Sequence, residues 1–186
     1  MLGSPGIAQS VAEVTISGSS YTVTSVATVF GIAGAGAVGS TVNGTLGELY
    51  FSMFKNSTGE YSIEQYHPGA ASTSVIASGT GGMLMGLRFN PNDNMLYAIK
   101  GYNASTAADE FVKISGSTVT TLSALPFRVN AEYFSTTLDR CNNRYILSTL
   151  TGTPWSINVV AQFNMSGTIA QTDTTASLYQ GLDILY

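Results

Sequence analysis

GLRFNPNDNMLYAI, from Gly86 to Ile99, sets two short apolar runs on either side of a knot of Asn, Pro and Asp. Such a knot can serve as a metal or catalytic loop, or simply as the turn between two strands. Pro91 fixes its own φ, and Asn90, Asn92, Asp93 and Asn94 carry short side chains of the kind that form turns. A second copy decides between the readings. Aligning Gly39 with Gly86 sets GSTVNGTLGELYFS beside the first stretch without a gap, so that Asn43 meets Asn90 and Leu49-Tyr50 meets Leu96-Tyr97. In that copy Gly44 and Gly47 make the turn with no acid in it, whereas a metal loop is expected to keep its carboxylates. The knot reads as a turn. A calcium ion held by Asp93 and neighbouring carbonyls is the minor alternative.

The repetition extends along the chain. A looser third copy, AEYFSTTLDRCNNRYIL (Ala131 to Leu147), is read with extra residues in its turn, and GLDILY (Gly181 to Tyr186) is a shortened fourth. A second motif recurs out of phase: AEVTISG ends at Gly18, IEQYHPG at Gly69, EFVKISG at Gly116 and AQFNMSG at Gly167. Each unit reads as four short strands rich in β-branched and aromatic residues, and no stretch keeps a helical period for three turns. Repeats of about 45 residues with four strands fit β-propeller blades.

The expected fold is therefore all-β and propeller-like, with about four blades of four short antiparallel strands in a single domain, 1–186. The repeat units span 39–85, 86–130 and 131–180. One blade is split between the termini, 1–38 plus 181–186, and incomplete, because the chain enters on a third strand (Val11 to Ser17) and leaves on a first. Unpaired edges at Val11–Ser17 and Gly181–Tyr186 are templates for pairing with another chain.

Composition narrows the function classes. Charged residues make up 10% of the chain, against roughly 25% in an average globular protein. Seven scattered Lys and Arg residues and a net charge of −4 do not build the basic face that nucleic acid requires. The longest weakly polar run, Val26 to Gly39, is glycine-rich and too short to span a bilayer as a helix. The opening MLGSPGIAQS lacks the basic and apolar regions of a secretory signal. Cys141 is the only cysteine, which excludes an intrachain disulfide and a cysteine metal cluster; it is expected to be a small, half-buried residue.

At FNPNDNMLYAI the sequence resembles the propeller-like repeat domains of bacterial and fungal secreted or surface proteins, whose blades carry phrases of the form F-N-P-x-D-N-x-L-Y-A-I. The resemblance is close in one blade, partial in two, and runs as a weak periodic pattern over the rest. It implies a secreted or surface-displayed location and transfers no catalytic residue.

The remaining motifs weigh against chemistry. GAGAVG (Gly34 to Gly39) matches a dinucleotide fingerprint, but turn and strand follow where a helix is required, so it is expected to be a flexible connection between blades. His67, the only histidine, falls in the repeated turn motif, and one His with one Cys cannot furnish a zinc or iron site. Glu13, Glu64 and Glu110 recur in or beside the third-strand motif, which suggests a structural or surface role rather than a glycosidase carboxylate pair. Asn43, Asn56, Asn103 and Asn164 head N-x-[ST] sequons, and the first three are placed in loops where an oligosaccharide would project into water. Trp155, Tyr102 and Tyr133 are candidate aromatics for stacking on a glycan ring.

These features point to a non-catalytic extracellular structural or adhesive module, a subunit of a surface assembly or filament that associates with itself through its strand edges. A carbohydrate-binding, lectin-like module is the alternative, and a glycan-active enzyme comes third.

Overall fold

The computed structural model describes residues 10–29, 32, 35–101, 108–152 and 156–175. Among these residues fourteen antiparallel strands form one two-stranded and three four-stranded sheets. A hairpin comes first, β1 (Ser10–Ser17) with β2 (Ser20–Thr28). The first full sheet follows as β3 (Gly36–Asn43), β4 (Glu48–Lys55), β5 (Glu60–Tyr66) and β6 (Ser74–Thr80). The second comprises β7 (Met83–Asn90), β8 (Met95–Gly101), β9 (Glu110–Ser115) and β10 (Thr118–Ala124). The third comprises β11 (Phe134–Asp139), β12 (Arg144–Thr151), β13 (Ile157–Asn164) and β14 (Ile169–Thr175). Within each full sheet the strands lie in sequence order, as short antiparallel connections require.

The opening stretch is a turn, and its chemistry recurs. Asn43, Asn90 and Asp139 each end an inner strand, and their Oδ1 atoms accept the backbone N–H of Thr45 (3.2 Å), Asn92 (3.2 Å) and Asn142 (3.0 Å). Four residues on, the chain must turn left-handed, and Gly47, Asn94 and Asn143 do so at φ 67°, 60° and 52°. Glycine and asparagine are the residues that tolerate this region. The third copy has the same four-residue turn, because Asp139 pairs with Arg144 as Asn90 pairs with Met95. Its extra residues instead precede β11, in the bend closed by Asn130 Oδ1 accepting from Glu132 and Tyr133 N–H. The second motif has an equally plain cause: Gly18, Gly69, Gly116 and Gly167, which follow β1, β5, β9 and β13, all carry positive φ.

GAGAVG is also corrected. Gly36 to Gly39 lie within β3 rather than in a connection; Gly34 falls outside the described residues. At Gly39 the two inner strands come close, since a Cβ there would stand 3.3 Å from the Leu87 nitrogen.

Two apolar layers bind the full sheets face to face. Tyr50, Tyr61, Ile63 and Ala77 of the first sheet pack on Leu87, Leu96, Ala98, Val112 and Ile114 of the second. The opposite face of the second sheet, with Tyr97, Ile99 and Phe111, packs on Tyr145, Leu147, Ala161 and Phe163 of the third. Phe111 centres that layer, with ring centroids 5.0 Å from Tyr145 and 4.9 Å from Phe163. Such offset aromatic contacts add to the gain from removing these rings from water.

The three inner strands meet at β7. Its ladder with β8 breaks between Met85 and Arg88, and groups from both sides meet the interrupted backbone. The Gly86 carbonyl accepts from Tyr145 Oη (2.7 Å) and Thr136 Oγ1 (3.3 Å), while Ser52 Oγ donates to the Leu84 carbonyl (2.7 Å). Arg88 spans the junction, donating to the carbonyls of Ser40 (3.2 Å), Leu87 (3.0 Å) and Thr136 (2.5 Å).

Gly86 combines φ +61° with close neighbours: a Cβ would lie 2.6 Å from Thr136 Cγ2 and 2.7 Å from Tyr145 Oη. Gly86→Ala is expected to destabilise the fold by roughly 2–4 kcal/mol, the range of strain plus overpacking. Gly116→Ala, at φ +54° with no atom within 4 Å of the added carbon, should cost only about 1–2 kcal/mol. Urea unfolding of the two variants checks the difference.

Candidate interaction surface

The β1–β2 hairpin departs from every other part of the fold. A two-residue turn at Gly18-Ser19 closes it, and Ser17 pairs with Ser20, Ile16 with Tyr21 and Val14 with Val23. Directly paired residues share a face, so Val14, Ile16, Tyr21 and Val23 form one apolar face. That face is open to water: Val14 is 56% exposed, Ile16 74%, Tyr21 73% and Val23 57%. The opposite face carries Glu13, Thr15, Thr22 and Thr24, also exposed.

The equivalent hairpin of the second sheet shows what this face lacks. There Ile114 pairs with Val119 and Val112 with Thr121, around the same two-residue turn. Val112 and Ile114 are fully covered by the first sheet, whereas Val14 and Ile16 occupy the same register with no sheet against them among the described residues. Among the described residues β1 also pairs on one side only, with β2. Two-stranded hairpins are marginal alone, and this one is held at its base. Thr28 N–H donates to the Ala71 carbonyl (3.0 Å), and the Thr28 carbonyl accepts from Thr73 N–H (2.9 Å). Val11 and Val29 join a cluster with Ala35, Phe51 and Met53.

Glu64 supports that anchor. Its side chain is fully buried and accepts from Thr73 Oγ1 (2.6 Å) and Ser62 Oγ (3.1 Å). Burial raises its carboxyl above the ordinary value, and the two hydroxyls partly offset this. The three recurrent glutamates thus differ in setting: Glu13 is exposed, Glu110 is half-buried and accepts from Thr121 Oγ1 (3.0 Å), and Glu64 is internal.

A polar cluster lies at one end of the first sheet. Glu48, at the start of β4, accepts from Tyr50 Oη (2.6 Å) and Asn43 Nδ2 (3.4 Å), and His67 Nδ1 stands 3.0 Å from its other oxygen. Gln65 Nε2 donates to Tyr50 Oη (3.1 Å). Burial, then the adjoining Glu48 carboxylate, pushes the Tyr50 phenol up to about 12. His67 lies just beyond β5 with its ring half-exposed, in the turn where the motif places it. An acid–imidazole pair can relay a proton, but no serine or cysteine hydroxyl or thiol is bonded to this imidazole among the described residues.

The other sequence candidates are dispersed. Asp93 accepts from Tyr97 Oη (2.5 Å) and Met95 N–H (3.2 Å), and among the described residues no group of three His, Cys, Asp or Glu side chains could hold a metal ion. Asn43 does not project into water: it is buried and its amide is spent on Glu48. Asn56 is exposed in the turn after β4, and Asn164 closes the β13–β14 turn by accepting from Ser166 and Thr168 N–H. Cys141 is exposed rather than half-buried, because it occupies the tip of the four-residue turn. Tyr133 is 43% exposed at the bend before β11. Trp155, Tyr102, Asn103 and the edge at Gly181–Tyr186 lie outside the described residues.

No family model matches the chain, and no curated protein does. Solved structures do. A chain of the crystal structure of a nidogen/laminin complex superposes with a TM-score of 0.63 at 10% identity, over 89% of this chain and 59% of that one. A GH43 glycoside hydrolase, engineered to display both endo-xylanase and exo-arabinofuranosidase activity, superposes with a TM-score of 0.50 at 16% identity, over 80% of this chain and 30% of that one. The chain thus spans less than two thirds of either neighbour. Both are propeller-type folds, and the likeness identifies this chain's fold as all-β and β-propeller-like.

Glu48→Gln removes the charge beside Tyr50 and is expected to lower the phenol's titration midpoint from about 12 toward the ordinary 10.0. Ultraviolet difference titration reads this directly. Because the folded-state value is raised, Tyr50 favours the fold below pH 10 and loses that contribution as pH climbs through about 12.

Proposed function

We propose that this chain is a non-catalytic structural or adhesive repeat domain, displayed outside the cell or on its surface, that builds an assembly by associating with itself. The observation that carries the reading is the β1–β2 hairpin, with its exposed apolar face and one-sided strand. An edge with a single charge, Glu13, and no cover among the described residues is the kind of surface that monomeric proteins protect. In this reading the fold has four blades. The hairpin supplies the third and fourth strands of the split one, and Gly181–Tyr186, which repeats the inner-strand motif, supplies its first. Self-association runs through the Val11–Ser17 and Gly181–Tyr186 edges. The low charge and abundant Ser and Thr suit an extracellular surface, as does the resemblance of FNPNDNMLYAI to secreted repeat domains. The nidogen/laminin neighbour was itself crystallised in a protein complex, which favours partnering.

A glycan-binding reading has the exposed Tyr133 ring in its favour and would be supported by saturable oligosaccharide binding lost in Trp155→Ala.

Light scattering and electron microscopy of the native chain test the assembly reading. Regular polymers are expected, and deletion of residues 181–186 should reduce them to small species. A monodisperse monomer at all concentrations would overturn the reading, while unchanged polymers after the deletion would remove that edge from it.

A further inference from the structure

Resting on the self-association reading, we propose that the free edge of β1 pairs antiparallel with β1 of a second copy. Two hairpins then make one four-stranded sheet in the order β2–β1–β1–β2.

Three observations lead there. The first is strand number. Each full sheet has four antiparallel strands, while the hairpin has two, and β1 has no described partner on the side where β5, β9 and β13 meet a second strand. A second hairpin supplies the neighbour that β1 lacks among the described strands. The second observation is chemical. From Ser10 to Thr28 the hairpin holds one charged residue, Glu13, and neither of the Pro and Lys residues that keep edges apart, and the one break in its ladder lies at Val11 and Ala12, outside the Glu13–Ser17 stretch that would pair. The third is symmetry. Pairing centred on Thr15 sets Val14 against Ile16 and Glu13 against Ser17, which unites the two apolar faces on one side of the shared sheet. The Glu13 carboxylates stay well separated, whereas pairing centred on Glu13 would oppose like charges.

The ladder supports that centre. Counting from the Ser17–Ser20 pair that closes the turn, Ser17, Thr15 and Glu13 direct their backbone groups to β2, and Val14 and Ile16 direct theirs outward. Val14 and Ile16 then form the hydrogen-bonded pairs across the new edge. Thr15 faces its own copy at a non-hydrogen-bonded site, where Cα atoms approach to about 4.5 Å. That separation lies within disulfide reach.

This contact is isologous and so stops at two copies.

The test uses the full chain with Cys141→Ser, which removes the only thiol, and adds either Thr15→Cys or, as a control, Val75→Cys on exposed β6. Under mild oxidation Thr15→Cys is expected to form covalent dimer roughly tenfold faster than the control, since pairing raises the local thiol concentration. Adding Ile16→Lys should abolish that advantage. Equal rates in a chain that light scattering shows to associate would overturn the β1 pairing and leave self-association standing. A chain that stays monomeric would overturn both.

Discussion

The interrupted ladder of β7 governs the architecture. Where β7 parts from β8, at Gly86 and Leu87, backbone groups are freed, and buried peptide groups must find partners. Tyr145 and Thr136 from the third sheet satisfy the Gly86 carbonyl, and Arg88 reaches carbonyls on all three inner strands. The sheets thus share one axis through side-chain hydrogen bonds, where strand-to-strand pairing would have merged them into one sheet. Gly86 has to be a glycine because Thr136 and Tyr145 occupy the space of a side chain.

Packing follows from this geometry. With the inner strands held at one junction, the strands outside them lie face to face, and alternate residues fall into two separate layers. Tyr50 and Tyr97 illustrate the rule: each follows a leucine, turns its ring into the layer toward the next sheet, and ends its hydroxyl on a carboxylate, Glu48 or Asp93. The hairpin obeys the same alternation, but the layer toward a preceding sheet, which would hold Val14 and Ile16, has no described counterpart.

Much of this was legible in the residues. Local chemistry is written in single positions: the turn side chains at Asn43, Asn90 and Asp139, and the glycines that end each third-strand motif. The period followed because the same turn needs the same residue types each time. Long-range satisfaction was hidden. Nothing local marks Arg88 as the link between three strands, or Glu64 as an internal acid, since both depend on what another sheet brings beside them. The extra residues of the third copy were misplaced because Arg140 to Asn143 contain no glycine or proline to flag the turn, although Asn143 takes the left-handed conformation that Gly47 takes. For the Glu48–His67 cluster a signal was present, in an acid directly after one turn and a histidine in another, but only the β4–β5 register joins them.

The anchor at Thr28 has a mechanical consequence. In an assembly joined through its hairpins, tension passes from one copy to the next by way of the hairpin's base. There the load meets two backbone hydrogen bonds, Thr28 to Ala71 and Thr73 to Thr28, backed by the small cluster around Phe51. The three full sheets, locked at β7, lie behind that connection. In that proposed assembly the hairpin would peel away before the full sheets, and Thr28 would serve as its fuse.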